Sequence, residues 1–513
     1  RSVPELLRHF QELYPYICVD EAQDTSKIQH AIIALLASGS ENLFMVGDED
    51  QSIYGFRAAY PEALLTFEKN YPDAKVLLME ENFRSDARIV LAADRFIQKN
   101  TLRHEKHMKA ARKPASDIRE ISLRSRKAQY TYLAKLAEGC TSQTAILYRD
   151  NECILPLVDL LERNGIPYQM RNAELSFFSH RTILDIINII KLAQNPMDTE
   201  AFLQIYYKIG TYLRKQDAIR IARISEEKRI PVLDVAAEDP DLNGHVLGSV
   251  RSMRTHLQNL LQDSGERAIY RIMQFMGYQE YLNRSGLSDS KLEILRILGS
   301  RADSPMELVE RLEQLKVLIR EKEPDRKCPL ILSTIHASKG LEYDSVYLID
   351  VADGILPESI PQNLHQASAE ELKAYEEERR LFYVGVTRAK DHLTLFTTNR
   401  PSTFCSEFLG KSSVTEEGRK NLMPVESRTS RTFKQARPYA AVAGIRQTKA
   451  SEELYFRLKE ELGTGVIVEH KKYGEGVVTQ LDDRLVHIMF QDDTLRMMDL
   501  KILANAGLLK VKK

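Results

Sequence analysis

Cysteine is scarce and scattered in this sequence: five residues in 513, at Cys18, Cys140, Cys153, Cys328 and Cys405, with no C-x-x-C pair. That pattern offers neither a disulfide framework nor a zinc site, and a reducing cytosol is the simplest setting for it. Long apolar runs are also missing; none approaches the roughly 20 residues that a membrane span requires, and no secretory signal is read at the start. Net charge is nearly absent, with 72 Lys and Arg against 73 Asp and Glu. No global charge therefore announces a nucleic-acid partner, although such binding needs only a local basic track. A soluble, intracellular (cytoplasmic) protein with no membrane partner is expected. At 513 residues it exceeds one compact domain, and three or four are expected.

Short β-branched runs recur, at Tyr16–Val19, Asn42–Val46, Lys75–Met79, Thr144–Tyr148, Leu330–Thr334, Ser345–Asp350 and His392–Thr397. Helical patterns stand between them, including Asp86–Gln98, Ile154–Asn164 and Thr182–Ala193. Strands alternating with helices predict an α/β fold with parallel sheets. From about Pro196 to Arg326 only helical patterns remain, as in Val250–Gln262 and Lys291–Arg301, so an all-helical insertion is expected. Near Lys411 the composition turns to Ser, Thr, Lys and Arg, which reads as a linker. The last fifty residues carry short strands broken by Gly and Asp, suggesting a small β-barrel.

Chemistry concentrates where strands end. VDEAQD (Val19 to Asp24) closes a strand with three carboxylates. Asp20 there could hold Mg²⁺ and Glu21 could deprotonate a water, while Asp24-Thr25-Ser26 could equally be a helix N-cap. In NLFMVGDEDQSIYGFRAA (Asn42 to Ala59), Gln51 is suited to sensing a γ-phosphate. Tyr54 and Phe56 beside Arg57 are suited to stacking on unpaired bases, against ordinary core packing as the alternative. Arg84 in ENFRSDARIV is either a salt-bridge partner or a phosphate clamp. The turn in LSTIHASKGLEYDSVYLID (Leu332 to Asp350) has hydroxyls and N–H groups that suit phosphodiester oxygens. In EEERRLFYVGVTRAKDHLTLF, Arg388 follows a helix whose capping box would be Ser368-x-x-Glu371. Thr101 to Lys127 has nine basic residues against three acids; it reads as a solvated basic face, with a phosphate track as the alternative.

These five motifs, in this order, resemble those of the UvrD/PcrA/Rep-like superfamily 1 DNA helicases, over about residues 10–410. AILYRDN and LLERNGIPYQM add to the likeness. The resemblance implies two RecA-like domains, the first incomplete. Its boundaries would be 1–83 for the first, 84–195 and 327–410 for the second, 196–326 for the helical insertion, 411–462 for a linker and 463–513 for a Tudor-like barrel. It implies an ATP-dependent 3′-to-5′ helicase working with Mg²⁺ on single-stranded DNA and on single-strand/duplex junctions, in repair or replication. Asp20 would coordinate the metal, Glu21 would polarise water, Gln51 would sense the γ-phosphate, and Arg84 and Arg388 would be arginine fingers. Glu342 would contact the nucleotide; Tyr54, Phe56, Arg57, Thr334 and His336 would contact DNA. The barrel would dock RNA polymerase.

Departures are as informative. Phe56 stands where tryptophan is common and Gly55 where arginine is usual. DGILPES lacks a histidine after its proline, and IGTYLRKQ lacks a Gly-rich turn, which puts duplex contacts of the insertion in doubt. The family's P-loop, G-x-x-x-x-G-K-[S/T], is absent; Gly410-Lys411-Ser412 fails because position 405 is Cys405. With Arg1 instead of Met at the start, the expectation is an N-terminally incomplete chain without ATPase activity by itself. The alternative is a non-catalytic DNA- or RNA-polymerase-binding protein derived from a helicase.

Overall fold

The computed structural model describes residues 3–171, 176–323, 325, 327–364, 366–400 and 402–411, then 462 and 466–511 except 472, 482–484, 491–494, 500–502 and 504–507. The chain divides into two units, Arg1–Pro424 and Val425–Lys513.

Strands β1 (Ile17–Val19) and β2 (Leu43–Met45) run parallel, Ile17 opposite Leu43. The helix Lys27–Ala37 crosses between them. Ser26 caps it in a capping box with Gln29, each side chain taking the other's backbone N–H. The polar turn after β1 is therefore a helix cap at Ser26 and still leaves Asp20 and Glu21 ahead of it. Two short strands, β3 (Glu81–Asn82) and β4 (Lys109–Ala110), form a second parallel pair.

The main sheet is parallel throughout, with β5 (Arg119–Leu123), β6 (Thr144–Tyr148), β7 (Gln169–Met170), β8 (Leu330–Thr334), β9 (Tyr343–Leu348) and β10 (Ala389–Thr398) in the order β5-β10-β9-β6-β8-β7. Every residue of β6 and β8 is buried, as expected for a sheet covered on both faces. Alternation sorts the side chains. Ile146, Leu330, Leu332 and Phe396 face one core, and Ala145, Leu147, Ile331 and Leu395 face the other. The first core continues into the segment between β7 and β8, where the described elements from Ser176 to Glu321 are all helices. Buried Asp159 ties the two together, accepting from Arg163 on its own helix and from Arg311 at 2.6 Å across the contact. The second core seats the helix Ala369–Val386, whose Phe382 meets Phe96 and Phe408 at ring separations of 4.9 and 5.5 Å. Its capping box at Ser368 and Glu371 is formed.

Two expectations fail. Lys75–Met79 is not a strand: it pairs with no strand among the described residues, and Leu77 and Met79 are 84 % and 85 % exposed. Backbone groups there have no ladder to complete, so β-branched propensity alone does not make one. The basic stretch is not simply a solvated face either. Arg103 and Lys106 are half-buried, Arg103 against Asp50 and Lys106 against Asp48, Glu49 and Asp50, and Arg119–Leu123 is the edge strand β5. Partners fifty residues away in sequence were invisible to a local count of charge.

The second unit is a five-stranded antiparallel sheet of β11 (Ile467–His470), β12 (Gly474–Leu481), β13 (Leu485–Phe490), β14 (Leu495–Asp499) and β15 (Leu509–Val511), ordered β14-β13-β12-β11-β15. Val468, Val478, Val486, Ile488 and Phe490 make its core. The end strands β14 and β15 are not paired to each other among the described residues, which show a five-stranded sheet; the small barrel expected from the sequence stays part of the proposal below. Of the linker expected at 411–462, residues 412–461 lie outside the described residues.

Candidate functional site

Pairing between β1 and β2 continues past both strands, Val46 N–H to Val19 O at 2.8 Å and Ala22 N–H to Val46 O at 2.9 Å. This sets the acidic turn beside the loop Gly47–Gln51. Gly47 is required for the fit: a Cβ there would lie 2.7 Å from Gln23 Oε1, which accepts the Asp48 N–H at 2.9 Å. Glu21 has φ 50° and ψ 42°, a left-handed conformation uncommon without glycine and typical of functional sites. Asp20 and Glu21 are exposed, and Asp20 Oδ1 accepts the Glu21 N–H at 2.8 Å.

Gln51 is held at four points. Its N–H donates to Asp48 O at 2.9 Å and its Nε2 to Asp48 Oδ2 at 2.7 Å. Its carbonyl accepts from Lys339 Nζ at 2.8 Å, and its Oε1 from Arg388 Nη2 at 3.3 Å. Because a carboxylate only accepts, Asp48 fixes which way the Gln51 amide faces. Lys339, half-buried after the short helix that follows β8, also reaches Asp24 Oδ2 at 2.6 Å and Glu21 Oε2 at 3.6 Å. Burial pushes the Asp24 carboxyl up even with that ammonium beside it.

Arg388 is 2 % exposed and donates to Val384 O, Leu341 O, Thr387 Oγ1 and Gln51 Oε1. Among the described residues no carboxylate lies within 4 Å of it. Burial, and then the nearby Arg84, push its pKa down to about 10, so it remains a cation at neutral pH. A buried charge without a counterion is costly unless an anion completes it. Arg84 donates its Nε to Glu342 Oε2 at 2.9 Å and Nη1 to Thr387 O at 3.5 Å, and Glu342 also takes Lys390 at 3.1 Å. The bonds from Arg84 and Lys390 hold the Glu342 carboxyl below its ordinary value. Here Arg84 and Glu342 satisfy one another.

One turn further on lie the aromatics. Phe56 is 69 % exposed and sits 5.9 Å from Tyr54 and 5.6 Å from His336, ring to ring. Arg57 stacks over Tyr54 at 4.9 Å and Phe56 at 5.3 Å, and Tyr54 OH donates to His336 O at 3.2 Å. Burial, then Arg149, push the His336 imidazole down to about 4, so the ring is neutral. Tyr54, Phe56, Arg57 and His336 thus form one platform. Thr334 departs from it: buried, its Oγ1 accepts the Ala337 N–H at 3.1 Å and caps the short helix Ile335–Ser338.

Among the described residues no group of three or more His, Cys, Asp or Glu is placed to hold a metal ion. Asp20, exposed and with one oxygen uncommitted, fits a Mg²⁺ that arrives with phosphate oxygens and its own waters, not a protein-built cage. Sequence reasoning missed Lys339 and Lys106. Lys339 was in view within TIHASKGLE, at the strand end where ligands bind in such sheets; nothing local marked Lys106. No helix among the described residues is long and apolar enough to cross a membrane.

The UvrD-like helicase C-terminal domain model matches residues 77–400, and the UvrD/REP helicase N-terminal domain model matches residues 1–72. A putative ATP-dependent DNA helicase, YjcD of Bacillus subtilis (strain 168), is 32% identical over 409 residues, 76% of this chain and 53% of the relative. The chain thus spans about half the length of that relative. The ATP-dependent DNA helicase PcrA of Staphylococcus epidermidis (strain ATCC 12228 / FDA PCI 1200) is 28% identical over 517 residues, 94% of this chain and 68% of the relative. PcrA of Staphylococcus aureus (strain NCTC 8325 / PS 47) is 27% identical over 515 residues with the same coverage. Motifs, parallel α/β sheet and family models agree, and this chain belongs to the UvrD/PcrA-like superfamily 1 helicases.

Proposed function

We propose that these residues serve ATP-driven, 3′-to-5′ movement along single-stranded DNA, in repair or replication in the bacterial cytoplasm. The observation that carries the reading is Arg388: a buried cation with no carboxylate within salt-bridge distance among the described residues, bonded to Gln51 and flanked by Arg84. Two guanidiniums and a carboxamide on one cleft suit a transferring phosphoryl group, whose catalysis is positioning and charge stabilisation. Glu21 would accept a proton from the attacking water, Gln51 Oε1 would exchange the Arg388 N–H for an O–H of that water, and Arg84 would leave Glu342 for phosphate. Mg²⁺, held through Asp20, would neutralise charge on the phosphates. Gln51 and the platform Tyr54–Arg57 lie on one short segment, so a change at the nucleotide moves the bases' seat.

The domain boundaries expected from the sequence belong to this proposal, as does a Tudor-like role for the sheet 467–511 in docking RNA polymerase. The sequence holds no G-x-x-x-x-G-K-[S/T] loop, and the chain by itself is proposed to hydrolyse no ATP. The test therefore uses these residues joined behind such a loop. Single-stranded DNA should stimulate hydrolysis, and Arg388→Ala should lower turnover by about 10³-fold, the size of an arginine-finger effect, with DNA affinity kept. Turnover within twofold of the unsubstituted protein would refute the assignment.

A further inference from the structure

The helix Ala369–Val386 touches the segment Gln51–Gly55 at three successive points. Arg388, just past its end, meets Gln51; Arg380 Nε donates to Ser52 O at 2.9 Å; and the Gly55 N–H donates to Glu377 Oε1 at 2.8 Å. Arg380 and Glu377 are three residues apart on one helix face, and they grip the strip that links Gln51 to the aromatics. Gly55 and Glu377 are fitted to one another. A Cβ at position 55 would collide with the Glu377 carboxylate, whose atoms are the three nearest to it. Glycine therefore stands here because the carboxylate occupies the space beside the backbone. No cation within salt-bridge distance of Glu377 appears among the described residues, so its partner at this contact is the Gly55 amide.

We propose that Glu377 is a positioning residue for the base-stacking turn: by accepting the Gly55 N–H it holds Tyr54 and Phe56 at the spacing in which they take unpaired bases. The proposal rests on the reading of Tyr54–Arg57 as a DNA platform and adds to it a residue from the helix Ala369–Val386. Its action is as a hydrogen-bond acceptor. A negative charge beside a phosphate track would by itself oppose DNA binding, so the two roles predict opposite signs.

The test uses the 513-residue chain, a fluorescein-labelled oligothymidylate for affinity, and a strand carrying 2-aminopurine for stacking. Glu377→Ala should weaken binding about fivefold to tenfold and reduce 2-aminopurine quenching, a loss within the range of one stacked base. Glu377→Gln keeps an acceptor oxygen and should stay within about twofold of the parent. Gly55→Ala, whose methyl displaces the carboxylate, should reproduce Glu377→Ala. Thermal melting of each variant separates this from misfolding. Tighter binding by Glu377→Ala, or Glu377→Gln as weak as Glu377→Ala, would overturn the proposal and leave the platform intact. Absence of binding by the unsubstituted chain would overturn the platform and this inference together.

Discussion

At the residue scale, the site is defined by what each charge lacks or holds. Arg388 is buried without a carboxylate, Arg84 is lent to Glu342, and His336 is a neutral ring inside a platform. Phe56 presents its exposed ring to solvent with Arg57 stacked against it. Phe56→Ala should weaken single-stranded DNA binding by about 1–3 kcal/mol, measured by fluorescence anisotropy. His336 gives a pH signature. Its native pKa, down to about 4, lies below the ordinary value of 6.5, so the unfolded chain binds more protons between those values. Stability should therefore fall as pH drops from about 6.5 toward about 4, and DNA affinity should show no histidine step near pH 6.5. Urea denaturation of the parent and His336→Gln at several pH values checks the sign: the substitution should flatten the decline.

At the element scale, the cleft is held by a helix and a strap. The helix Ala369–Val386 carries Arg380 and Glu377, and Arg388 follows just past its end, all in reach of Gln51–Gly55. The strap Asn100–Lys106 is anchored at one end by Glu376, which accepts the Thr101 N–H at 2.7 Å. At the other end Lys106 meets Asp48, Glu49 and Asp50 at 2.6, 3.0 and 3.3 Å. Removing one partner from a buried ion cluster leaves charge uncompensated. Lys106→Met should cost about 3 kcal/mol in urea denaturation and free the Asp48 carboxylate that orients Gln51. Much of this frame was legible in the sequence. Strands β6 and β8, the capping box at Ser368 and the aromatic turn are local patterns, and local patterns survive folding. The extended chain at Lys75–Met79 and the ion cluster of Lys106 were not legible, because both depend on what stands opposite: a missing ladder partner in one case, three carboxylates in the other. The capping role of Thr334 was likewise not legible: its Oγ1 accepts the Ala337 N–H, and its O–H remains to donate in the DNA contact proposed for it.

At the scale of the molecule, near-zero net charge conceals a local distribution: cations converge at Arg84, Lys339 and Arg388 while carboxylates line the turn before them. The family supplies the helicase frame, and the chain spans only part of the length of its relatives. Large apolar side chains also stand open, with Tyr16 75 %, Phe44 61 %, Leu77 84 % and Met79 85 % exposed. Exposed apolar side chains of that size can bind apolar dyes. The chain should raise the fluorescence of anilinonaphthalene sulfonate, and Leu77→Ser with Met79→Ser should lower that signal without lowering the melting temperature. The central claim is that one segment, Gln51–Arg57, joins nucleotide to DNA. It is tested most directly by Gln51→Ala in these residues joined behind a phosphate-cradling loop, assaying ATP hydrolysis with and without single-stranded DNA. The account predicts that DNA still binds but no longer stimulates turnover; stimulation equal to that of the unsubstituted protein would contradict it.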